Sequence, residues 1–141
     1  MRRLSPFATT LILLCLGTLF GSIDAKDCEA KQEIRMEILF MNHGPMQPTI
    51  RELKTLLGRY SGKVKADWFD YDQQSGKAFM RKKGITAHVP LVIYINGAYS
   101  FNTGGKQITF VGFPTGSGPY QFQGKWTFQD LDQVLGSVAG R

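Results

Sequence analysis

His43 and Met46 bracket a Gly44-Pro45 pair, and both carry side chains that could do chemistry. Imidazole and thioether are borderline-to-soft donors, a pairing that suits copper(I). A helix is expected to begin here, and the partial positive charge of a helix N-terminus works against a cation. Glu37 lies in an apolar run just upstream. With His43 it offers acid–base chemistry. No serine or cysteine nucleophile stands beside them in the motif, so an enzymatic reading has little to build on. The chain holds two cysteines, Cys15 and Cys28. Two thiols make neither a disulfide scaffold nor a four-ligand zinc site.

A chain of 141 residues suggests one domain. With 43% apolar and 20% charged residues it is neither disordered nor collagen-like, and it can build a core. The net charge of +6 on its own permits a nucleic-acid or membrane-surface partner. The first 25 residues change that balance. Met1-Arg2-Arg3 is basic, Leu11 to Phe20 is apolar, and Ile23-Asp24-Ala25 ends on a small residue. This is the layout of a secretory signal peptide over 1–25. The apolar run is short for a membrane span of roughly 20 residues. An uncleaved signal anchor is the one membrane attachment expected. Export to a periplasmic or secreted location makes a nucleic-acid partner unexpected. It leaves Cys28 as a lone thiol in a flexible segment over 26–33, with the domain at 34–141. Such a thiol is either incidental or a route to a disulfide-linked dimer.

Ile34 to Met41 is apolar on both sides, as a central strand is. Ile50, Leu53, Leu56, Leu57 and Tyr60 follow at helical spacing, with Gly58 and Gly62 at the helix end. Val64 to Tyr71 predicts a second strand, and the three elements together a right-handed parallel unit. Asp72 to Lys83 predicts a helix with Ala78 and Phe79 inward, closed by Gly84, its last turn bearing Arg81-Lys82-Lys83. Leu91 to Ile95 predicts a third strand. Asn96-Gly97 is a preferred hairpin turn and returns the chain antiparallel through Ala98 to Phe101. β-Prone pieces recur near 107–113 and 120–124. A last helix starts at Thr127, capped with Asp130, with Phe128, Leu131, Val134, Leu135 and Val138 as its buried stripe.

The order β-α-β-α-β-β-α, with Gly44-Pro45 opening the first helix, resembles the thioredoxin family. Asn42-His43-Gly44-Pro45-Met46 falls where that family has Trp-Cys-Gly-Pro-Cys, and Gly84 to Pro90 looks like its loop ending in a cis-proline. The resemblance covers about Ile34 to Ala139. It implies an α/β, three-layer sandwich around a mixed central sheet, with an extended Gly-rich insertion near 100–118. Both redox cysteines are missing, and dithiol exchange needs a thiolate. Glu37 matches the family's buried acid, whereas the lysine that partners it appears as Trp68.

The resemblance therefore implies a redox-inactive module that binds a protein or peptide partner. The expected groove is formed by His43, Gly44, Pro45, Met46, Val89 and Pro90, and peptide capture along a backbone edge needs no cysteine. The alternative is copper(I) on His43 and Met46, with Met41 and His88 able to come near in such a fold. A further alternative is an oxidoreductase-family enzyme with a non-standard site. No other cofactor is expected. The arm that contains this insertion, from Tyr99 to Gln123, carries Tyr99, Phe101, Phe110, Phe113, Tyr120 and Phe122 among glycines. It is either a partner or dimer surface or a cover for the sheet edge. Its Gly-rich ends lead us to expect that the core depends little on it.

Overall fold

The computed structural model describes residues 33–140. The signal segment expected over 1–25, Cys15, Cys28 and residues 26–32 lie outside the described residues. Strand β1 (Ile34–Phe40) is the centre of a three-stranded mixed sheet. On one side it pairs in parallel with β2 (Val64–Asp70), and on the other antiparallel with β3 (Leu91–Ile95). The parallel pairing is in register from Ile34 opposite Val64 to Phe40 opposite Asp70.

Helices cover both faces of this sheet, which is why β1 is apolar on both sides. Met36 and Ile38 pack with Ile50, Leu53 and Leu56 of α1 (Gln47–Gly58) and with Leu131, Val134 and Leu135 of α3 (Phe128–Val138). Leu39 faces the other way, toward Phe79 of α2 (Gln74–Lys83), Val92 and Tyr94. Phe79 stacks on Phe69 with ring centres 4.2 Å apart. Among the described residues no helix is long and apolar enough to cross a membrane.

The helix ends follow local chemistry. A single 3-10 turn, Gly44–Met46, leads into α1, and Pro45 and Pro48 occupy first-turn positions whose N–H groups would have no helical partner. Gly84 closes α2 at φ 67°, a left-handed conformation open to glycine. Thr127 and Asp130 form the expected capping box on α3: the Asp130 N–H donates to Thr127 Oγ1 at 3.1 Å and the Thr127 N–H to Asp130 Oδ2 at 2.8 Å.

Three details differ from expectation. Helix α2 starts at Gln74 rather than Asp72, because the Asp72 N–H turns back to Asp70 Oδ1 at 3.1 Å. Ala78 is exposed, and the inward positions are Gly76 and Phe79. Gly76 packs so closely on the Asp70 backbone that a Cβ would collide with its carbonyl. Val138 ends the α3 stripe 39% exposed, in the last turn of the helix.

The largest correction concerns the chain after β3. Asn96 and Gly97 make the expected tight turn, with φ 49° and 85°. The return strand is cut to one bridge, Ala98 to Ile95. Residues Ser100–Thr103 (β4) instead pair with Lys106–Thr109 (β5) in a separate hairpin. The backbone beside β3 is resumed later. The Ile93 N–H donates to the Phe110 carbonyl at 3.0 Å and the Gly112 N–H to the Leu91 carbonyl at 2.8 Å. Ile108, Phe110 and Phe113 are consequently buried at 1%, 0% and 4% exposure and belong to the main core. The expectation that the core depends little on 100–118 is thus overturned. The β-prone piece at 120–124 is also not a strand: it is a 3-10 turn, Tyr120–Phe122, with one bridge from Gln123 to Phe113.

Candidate functional site

Strand β1 ends where the first helix turn begins, and two backbone bonds shape the junction. The His43 N–H donates to the Met41 carbonyl at 2.9 Å, and the Met46 N–H to the His43 carbonyl at 3.0 Å. The loop ahead of β3 is tied to the same place, because the Met41 N–H donates to the Pro90 carbonyl at 2.9 Å. The sequence-predicted neighbours, the Gly-Pro turn and the Pro90 loop, therefore meet.

Between them lies a mostly apolar cleft of about 200 Å³. The helix-start side supplies Met41, His43, Pro45 and Met46, and the loop supplies His88 and Pro90. A third wall comes from the long connection before α3, through Phe113, Pro119 and Phe122. Of the six groove residues expected, His43, Pro45, Met46 and Pro90 line the cleft, whereas Gly44 and Val89 stand beside it. The third wall was not foreseen. Its residues sit in a Gly-rich stretch without periodicity, so only its aromatic content hinted at a role.

That wall is held by its own bonds. The Phe113 N–H donates to the Phe122 carbonyl at 2.9 Å, and the Gly124 N–H to the Phe113 carbonyl at 2.6 Å. Inside the loop, Gln123 accepts from the Gly116 N–H and donates to the Gly118 carbonyl. The Thr49 and Ser117 hydroxyls, 3.2 Å apart, join the loop to the first turn of α1. Beneath it Trp126 is fully buried, and its Nε1–H donates to the Gly112 carbonyl at 3.2 Å. Tyr120, which follows Pro119 in this loop, is 89% exposed.

The chemical groups differ in exposure. Met46 and Met41 are buried, at 1% and 6%. His43 is exposed, with Nε2 at 3.3 Å from Asp72 Oδ2. The His88 ring lies edge-on to Tyr71, with centres 5.4 Å apart. Glu37 pairs with Lys83 on the face of the sheet covered by α2, whereas His43 pairs with Asp72. The acid–base pair suggested by the sequence is therefore not assembled. Among the described residues no cluster of three or more His, Cys, Asp and Glu could hold a metal ion.

Backbone valences at the loop complete the site. Among the described residues, neither the N–H nor the carbonyl of Val89 has a backbone partner, although both flanking residues line the cleft. No protein-family model matches the chain, and no curated protein matches it.

Proposed function

We propose that the chain is an exported, redox-inactive module of thioredoxin-like type. It captures an extended segment of a protein or peptide partner in the cleft between the Gly44-Pro45 turn and the Pro90 loop. The observation that carries this reading is Val89, whose free N–H and carbonyl sit between two residues of the cleft wall. An extended peptide pairing with them would satisfy both groups and place one side chain in the cleft, the mode in which an added strand gives affinity and a pocket gives specificity. At about 200 Å³ the cleft suits one or two side chains. Cofactor sites are usually larger, roughly 300–1,000 Å³.

The parallel β1–α1–β2 unit, the antiparallel β3 and the closing α3 support the thioredoxin-like placement. His43 and Met46 provide no thiol, so the same surface binds without exchanging disulfides. The signal-like segment 1–25 supports a periplasmic or secreted location.

Selection of displayed random peptides against the immobilised domain, followed by NMR titration of the enriched sequence, tests the reading. The expected result is peptide-induced shifts at Val89 and Met46 and weaker binding in Phe122→Ala. Shifts confined to another surface, or no enrichment above background, would overturn it.

A further inference from the structure

We infer that Met41, His43, Met46 and His88 together form a copper(I) site in the cleft, a donor set twice the size of the pair apparent at the helix start. The four side chains reach one wall system from three places in the chain: the end of β1, the 3-10 turn, and the loop before β3. Their chemistry selects the ion. No Asp, Glu or Cys lines the cleft. Calcium and magnesium need oxygen ligands, and structural zinc takes thiolate, imidazole or carboxylate. Two thioethers and two imidazoles among proline and phenylalanine walls match a soft, monovalent ion.

Three observations separate this site from ordinary packing. Met41 is buried at the end of β1 but stands outside both core clusters, whereas Met46 belongs to the main one, so Met41 is the thioether set apart at the cleft. His43 is oriented by a carboxylate. With Nε2 donating to Asp72 at 3.3 Å, Nδ1 is left as the ring's lone-pair donor, the arrangement that second-sphere carboxylates impose on metal-binding histidines. His88 is steadied edge-on by Tyr71. The field of the helix start opposes a cation, and the Asp72 carboxylate beside His43 offsets it.

The inference does not rest on peptide capture, since it uses side chains and not the Val89 backbone. The test is anaerobic titration of copper(I) against the chelator bicinchoninate. The full chain is used with Cys15→Ser and Cys28→Ser, which remove competing thiols. Expected are one copper(I) per chain, bound tighter than about micromolar, and sulfur together with nitrogen scatterers in X-ray absorption. Met41→Leu, His43→Ala and His88→Ala should each weaken binding by about tenfold or more, with circular dichroism verifying that each variant is folded. Binding no tighter than micromolar overturns the site. So does a Met41→Leu/His43→Ala/His88→Ala variant that is folded and retains full affinity. Loss of peptide binding with copper(I) binding intact would remove the peptide reading alone, and the converse would remove only this one.

Discussion

Lys83 Nζ donates to Glu37 Oε2 at 2.6 Å, joining the last turn of α2 to the central strand. The two side chains are only 18% and 12% exposed. The ammonium also stands 4.3 Å from the centre of the Tyr94 ring and 5.3 Å from that of Phe79, so aromatic faces replace part of its lost hydration. Removing one partner leaves a buried charge without its counter-charge, which is far costlier than removing both. Lys83→Met should destabilise the domain by about 3 kcal/mol, at the low end for a buried pair because both groups retain some water contact. Adding Glu37→Gln should restore much of that loss. Urea melts of the two variants and the parent make the comparison. Equal stability of Lys83→Met and the parent would show that the pair holds nothing together.

The same cluster sets an alkaline limit. The Tyr94 phenol is pushed above its ordinary value of 10.0, first by burial and then by the neighbouring Tyr99 and Glu37. In the unfolded chain Tyr94 loses its proton at the ordinary value, whereas the folded chain retains it. Above about pH 10 the folded state therefore binds more protons, and stability falls as pH rises. Tyr94→Phe should show a shallower decline than the parent in melting temperature measured from pH 9 upward. An identical slope would remove Tyr94 from the explanation.

Much of the frame was legible because it depends on local periodicity. The two-sided apolar run read over Ile34–Met41, the α1 stripe and the Thr127–Asp130 cap are each written within a few residues; the cap forms as read, the strand stops one residue early at Phe40, and Tyr60 falls just past the helix end at Gly58. The approach of Pro90 to the helix start is a long-range event, and it was readable only through the resemblance. What escaped is equally physical. The hairpin signal Asn96-Gly97 is real, but it cannot say how far the return strand runs before β4 leaves to pair with β5. Trp126, fully buried, lies between Lys125 and Thr127 with no periodic partner to mark it. The salt bridge of Glu37 escaped because its lysine comes from α2, not from the neighbouring strand.

The connection after β3 carries core, and its residues should separate accordingly. Phe110 is fully buried against Trp126, ring centres 5.4 Å apart, whereas Tyr120 is 89% exposed. Phe110→Ala should cost about 3–5 kcal/mol, typical of emptying a phenylalanine site. Tyr120→Ala should change stability by no more than about 0.5 kcal/mol. Replacing 100–118 by a short Gly-Ser turn should yield an aggregating protein, because it removes Ile108, Phe110 and Phe113 and exposes the edge of β3. Size-exclusion chromatography and thermal melting read all three. A soluble, stable deletion variant would show that the sheet edge needs no such cover.

Gly124 fixes how the third wall of the cleft meets the core. A Cβ there would collide with the Val111 carbonyl and stand 2.7 Å from Trp126 Cδ1. Both obstacles are constrained. The Val111 backbone belongs to the bridge beside β3, and the Trp126 ring is anchored by its Nε1–H bond to Gly112. Relief therefore requires moving backbone, which places the cost at or above the upper end for overpacking, about 3 kcal/mol. Gly124→Ala should fall by that amount in urea denaturation. It should also weaken ligand binding, because Phe113 and Phe122 are positioned by the same loop closure. Gly44→Ala is the matched control, since a Cβ there meets nothing within 4 Å and the backbone is not left-handed. Its stability should stay within about 0.5 kcal/mol of the parent. If the two alanine variants proved equally stable, the close contact at Gly124 would not be what seats the wall.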